Sequence, residues 1–124
     1  MIESILLGIS SLFTPFNILI IVFGLMIGMI FGALPGFTAT MALAVLVPFS
    51  FWLPADAALL LLSAVYCSAI YAGCIPAILL GIPGTPASVP TMYDGLEMTK
   101  KGQAGKALSL ATFGSSVGGV LSAF

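Results

Sequence analysis

The chain has 124 residues, of which 60% are hydrophobic and only 6% charged, with a formal net charge of −1. A mean hydropathy of +1.26 excludes a water-soluble domain. With three basic residues and no His, there is no basic face for a nucleic acid and no imidazole for a proton relay.

In chain order, Ile2, Ile5, Leu6, Ile9, Leu12 and Phe13 recur at helical spacing and predict an amphipathic helix over 2–13 lying in the membrane interface. Glu3 and the missing basic flank argue against a cleaved signal peptide. Thr14-Pro15 reads as an N-cap with Pro at the first helical position, opening an apolar span over 16–34. Pro35-Gly36 ends it. The next apolar run, 38–52, carries Pro48 and is short for a crossing, so it either re-enters the membrane or crosses as a thin, tilted span. Pro54 and Asp56 open a helix over 56–80, in which Pro76 should free the carbonyl of Ala72 and bend the axis. A polar connection over 82–106 follows, with Asp94-Gly95 as a turn signal. It holds Lys100, Lys101 and Lys106, which the positive-inside rule places in the cytoplasm. If 38–52 re-enters, the N-terminus is cytoplasmic too; if it crosses, the N-terminus is outside. The last apolar segment, 107–124, stops at Phe124 without a polar flank, which predicts one portion of a larger transporter domain or complex. The charges all lie near segment ends or in connections, as expected when a charge at the bilayer centre costs roughly 2.5–3.5 kcal/mol. The fold class is an all-α polytopic membrane helix bundle with Pro-Gly-interrupted, discontinuous or re-entrant helices.

Gly24, Gly28, Gly32 and Gly36 fall every four residues and form a smooth ridge. Ala69, Gly73, Ala77 and Gly81 form a second, and Gly114, Gly118 and Ser122 a third. Such ridges let helices approach closely and predict packing, not a substrate.

The breaks carry more. Pro35-Gly36-Phe37-Thr38-Ala39-Thr40 and Pro83-Gly84-Thr85-Pro86-Ala87-Ser88 share the form Pro-Gly, two residues, Ala, then a hydroxyl residue. Paired Gly/Pro interruptions point to a transporter binding site, because unwound backbone has N–H and C=O groups that a solute or ion can satisfy. A half-helix starting near Thr38 aims free N–H groups and a positive dipole end at the break, which favours a carboxylate. With no Arg, helix N-termini and the hydroxyls of Thr38, Thr40, Thr85, Ser88 and Thr91 are the available anion ligands. The freed carbonyls before each break, with the same hydroxyls, suit Na⁺ instead. The bland alternative is that Pro-Gly makes tight turns at the membrane surface. Asp94 reads first as part of an Asp-Gly turn and second as an ion or gate contact.

Other chemistry is not supported. Cys67 and Cys74 read as small core hydrophobes, and no metal cluster accompanies them. Gly105-Lys106 does not make a phosphate loop, since Lys100 stands where the motif needs Gly and Ala107 where it needs Ser or Thr. No Ser-Lys or paired-Asp arrangement suggests an enzyme.

Gly32-Ala-Leu-Pro-Gly36, Tyr71-Ala-Gly73, Ala77-Ile-Leu-Leu80, Ile82-Pro-Gly-Thr-Pro86, Asp94-Gly95 and Gly102-Gln-Ala-Gly-Lys-Ala107 together resemble the N-terminal part of the large membrane subunit of the tripartite tricarboxylate transporters. The resemblance implies a multi-pass secondary carrier of the bacterial inner membrane. It also implies a small membrane subunit and a periplasmic binding protein as partners, a small carboxylate as cargo, and uptake driven by Na⁺ or H⁺ with no cofactor. The family's Pro-Gly motifs then fall on Leu34, Pro35 and Gly36 and on Pro83, Gly84, Thr85 and Pro86. Gly81-Ile82 depart from the family, where a polar residue, often Asn, precedes the second break. A non-transporting assembly or scaffold subunit is the alternative, distinguished by its indifference to solute.

Overall fold

The computed structural model describes all 124 residues. It is all-α: α1 (Ile2–Leu12), α2 (Pro15–Ala33), α3 (Ala39–Ser50), α4 (Ala55–Ala72), α5 (Cys74–Leu80), a single 3₁₀ turn (Pro86–Ser88), α6 (Val89–Lys100) and α7 (Ala104–Ala123).

Local chemistry sets these ends. The Thr14 carbonyl accepts the Ile18 N–H at 3.0 Å, and Pro15 stands first in α2, where a missing N–H costs nothing. α2 stops because Leu34 is extended ahead of Pro35, and Gly36, at φ +96°, reverses the chain. Thr38 caps α3, its hydroxyl accepting the Met41 N–H at 3.4 Å. The helix after Pro54 breaks at Gly73, one turn ahead of Pro76. α5 ends at Gly81, whose φ of +70° lets the Ile82 N–H reach back to the Pro76 carbonyl at 3.4 Å.

The interior is made of small residues. Ala42, Ala57, Ala69, Ala72 and Ala77 are buried, whereas Phe23, Met26, Ile30 and Leu59 face outward. Between helices in lipid there is no hydrophobic drive, so association rests on close van der Waals approach. That approach is tightest between α2 and α4. A Cβ on Gly24 would stand 3.1 Å from Ala64 Cβ, one on Gly28 3.0 Å from Val65 Cα, and one on Gly32 2.8 Å from Ala69 Cα. Gly28 also makes room for Ser68, whose hydroxyl is turned back onto the Ala64 carbonyl at 2.7 Å.

These contacts advance together along both helices, so α2 and α4 run parallel. α3 runs the other way: Thr38–Thr40 lie level with Ile70, and Leu46, Trp52 and Leu53 lie level with Leu61 and Ile20. Its 12 residues rise about 18 Å. A re-entrant α3 would have left α4 antiparallel to α2, so α3 is a short return crossing. α1 sits beside the start of α4, with Ile5 and Leu12 near Asp56 and Leu59.

Beyond Gly81 the chain folds back along α5, and α6 then runs parallel to α5. Gly95 meets Ile78, Leu96 meets Gly81, and the Thr99 hydroxyl donates to the Ile78 carbonyl at 2.7 Å. α7 returns antiparallel, tied to the end of α4 by a 2.6 Å hydrogen bond between the Tyr71 and Thr112 hydroxyls.

Three expectations change. The stretch 82–106 is no plain connection, since it contains α6. Asp94-Gly95 is no turn: it lies inside α6, where Gly95 allows the approach to Ile78, 2.7 Å from a would-be Cβ. Gly36 leaves its ridge, being exposed and needed for its positive φ; Gly114 and Gly118 face nothing within 4 Å of an added Cβ.

Gly28→Ala and Gly32→Ala in the intact protein should each lower stability by about 1–3 kcal/mol, read as an earlier thermal unfolding in detergent, while Gly8→Ala, which has open space, should not. With Cys67 and Cys74 replaced, Ser4→Cys and Gln103→Cys should be labelled by an impermeant maleimide from opposite sides of the membrane. Same-side labelling would contradict the return of α3.

Candidate functional site

The second break is drawn into the bundle. After the turn at Gly81, Gly84 is buried against the end of α2 and the α4–α5 junction: a Cβ there would stand 2.9 Å from the Gly32 oxygen and 3.0 Å from Gly73 Cα. Only glycine fits. The Gly84 N–H donates to the Gly73 carbonyl at 3.4 Å.

Thr85 comes next and is 7% exposed. Its backbone is locked by Ser88, itself 1% exposed, whose hydroxyl donates to the Thr85 carbonyl at 2.7 Å and accepts the Thr85 N–H at 3.3 Å. The Thr85 Oγ1 is buried with no hydrogen-bond partner. The first break differs. Pro35, Gly36 and Phe37 are exposed and make the tight turn that the bland alternative describes, with the Phe37 N–H on the Leu34 carbonyl at 3.2 Å.

The two segments that follow the breaks meet in one cleft of about 340 Å³. Thr38, Ala39 and Thr40 form one wall, and Thr85, Pro86 and Ala87 the other. Tyr66 and Ile70 of α4 complete it, near the middle of the 26-residue apolar run Ala55–Leu80. The wall from α3 is that helix's N-terminus, where the first N–H groups have no intrahelical acceptor. The Thr38 and Thr40 hydroxyls sit 2.7 Å apart there. The cleft thus offers hydroxyls and helix-end amides, a neutral set suited to an anion.

Of the residues singled out in the sequence, Thr38, Thr40 and Thr85 come together in the cleft. Ser88 is committed to holding Thr85, and Gly84 to contact with Gly32 and Gly73. Pro83 is half-buried and Pro35 and Gly36 are exposed outside the cleft. Thr91 and Asp94 lie on α6 in a separate groove toward Ala107 and Leu110 of α7. Tyr66 and Ile70 were not singled out; a tyrosine in an otherwise apolar span was the one available signal.

A larger apolar cavity of about 430 Å³ lies at the other end of α3, between Phe23, Leu46 and Trp52. It has no polar group with which to orient a solute.

Ser88→Ala should leave the Thr85 N–H without its partner and cost about 1–3 kcal/mol, with faster amide exchange at Thr85. Unchanged exchange would show that the 3₁₀ turn does not depend on Ser88.

A family model described as "Tripartite tricarboxylate transporter TctA family" matches residues 18–124. A protein of Agrobacterium vitis, described as "Uncharacterized 52.8 kDa protein in TAR-I ttuC' 3'region", is 38% identical over 119 residues, which is 96% of this chain and 24% of that protein. The chain therefore spans about a quarter of that relative's length. No solved structure matches. A match over most of the chain, with both Pro-Gly breaks inside it, leads to one assignment: this chain belongs to the TctA family of tripartite tricarboxylate transporters.

Proposed function

We propose that this chain forms one wall of the solute path in a secondary transporter of the bacterial inner membrane, importing a tricarboxylate or another small carboxylate. The observation that carries this is the meeting of both post-break segments, Thr38–Thr40 and Thr85–Ala87, in one cleft midway along the apolar run of α4 and α5. A carboxylate held there would lie at the N-terminus of α3, within reach of the hydroxyls of Thr38 and Thr40. No ionised side chain contributes, so binding stays weak enough for release, and the cost of holding a cation at membrane depth is avoided.

The ion gradient that drives uptake, the small membrane subunit and the periplasmic binding protein that delivers cargo belong to the same proposal. They follow from family membership. The lysines at Lys100, Lys101 and Lys106 would set the α6–α7 turn in the cytoplasm and, with α3 crossing, the N-terminus in the periplasm.

In cells, Thr38→Val and Thr40→Val should raise the KM for carboxylate uptake roughly 10–100-fold, the worth of one hydrogen bond to a charged group, with membrane insertion unchanged. Uptake with an unaltered KM in both variants would overturn the cleft as the carboxylate site.

A further inference from the structure

Resting on that transport reading, we infer that the contact of Gly32, Gly73 and Thr85 is a Na⁺ site, separate from the carboxylate position and sharing Thr85 with it. Three oxygens there lack adequate donors. The Gly32 carbonyl is at the end of α2, where the residue three on is Pro35, without an N–H, and the Gly36 N–H makes no bond to it. The Gly73 carbonyl receives only the long 3.4 Å bond from Gly84. The Thr85 Oγ1 is buried and unpartnered.

They also converge. The Gly32 and Gly73 oxygens stand 2.9 Å and 3.3 Å from one point, the place a Cβ on Gly84 would take. The Thr85 Oγ1 is 3.0 Å from where a Cβ on Gly73 would be. The absent side chains of the two glycines leave the space, and the three oxygens line it. Pro76 in addition denies the Ala72 carbonyl its helical donor, one residue away. Buried carbonyls and hydroxyls in this state are costly unless a water or cation satisfies them. The C-terminal end of α2 carries negative partial charge toward the same place.

The choice of ion follows from what the oxygens cannot do. None of Gly32, Ala72, Gly73, Gly84 and Thr85 titrates, so the site cannot carry a proton. No acidic cluster is present for a divalent ion. Neutral carbonyl and hydroxyl oxygens suit a monovalent hard cation. Because Thr85 also walls the cleft, cation and carboxylate would be neighbours of opposite charge, each raising the other's affinity by the same factor.

The test is thermal unfolding of the purified intact protein while NaCl replaces choline chloride at constant ionic strength, with and without citrate. The midpoint should rise saturably with Na⁺. Thr85→Val should raise the half-saturating Na⁺ concentration tenfold or more, and Thr85→Ser should keep the wild-type value. Thr38→Val should weaken the citrate response and leave the response to Na⁺ alone intact. Should Thr85→Val not fold, Thr85→Cys, with a soft sulfur in place of the oxygen, carries the same expectation. A wild-type midpoint indifferent to Na⁺, or a Thr85→Val protein with the wild-type Na⁺ response, would overturn the site and leave the space to water. A citrate response that survives without Na⁺ sensitivity sinks this inference alone; loss of both responses sinks the transport reading with it.

Discussion

Everything in this chain hangs on how closely α2 and α4 approach. The ridge Gly24, Gly28 and Gly32 brings the backbone of α2 against Leu61, Val65 and Ala69, with no room for a Cβ at Gly32. In lipid such closeness replaces hydrophobic burial as the source of association. Its register has two consequences. Parallel neighbours oblige the chain between them to return, so α3 must cross back despite its 12 residues. The ridge also ends at Gly32, which sets the last carbonyls of α2 beside Gly73 and leaves a slot that only Gly84 fits.

The two Pro-Gly breaks share a sequence form and do different work. The first is an exposed turn, whose contribution is to start α3 at Thr38. The second is folded into the bundle, held by Gly84 against Gly32 and Gly73 and by Ser88 around Thr85. A break buried in this way leaves backbone groups unsatisfied at depth, which a surface turn does not. Both the surface-turn and the buried-site readings of a Pro-Gly break therefore describe this protein, one break each.

Sequence made the local features legible: the composition, the cap at Thr14-Pro15, the two breaks, and the glycine spacing of α2. Each depends on residues close together in the chain. The direction of α3 was not legible, because a 12-residue apolar run has the same periodicity whether it returns or re-enters. α6 was hidden for another reason. Asp94-Gly95 is a strong turn dipeptide, and tertiary contact overrode it: Gly95 is there because Ile78 lies against it. Of the cleft, the hydroxyls were visible, but the α4 wall at Tyr66 and Ile70 depends on the parallel register of two helices, which no local pattern encodes.

A membrane protein without Arg or His still has to face charged solutes, and the helix ends offer a way. Between Gly32 and Thr38 the chain passes from the carbonyl end of α2 to the amide end of α3 within a few residues, so partial charges of both signs appear at one level without an ionised side chain. Thr85, coming from the other break, stands between them with a hydroxyl that can face either sign. A carboxylate group at the α3 end and a monovalent cation at the α2 end would partly cancel each other's charge. Moving such a pair through low dielectric costs far less than moving the anion alone, since desolvation penalises net charge most. A carrier built this way needs its cation to move its anion, and coupling then follows from electrostatics at a single residue.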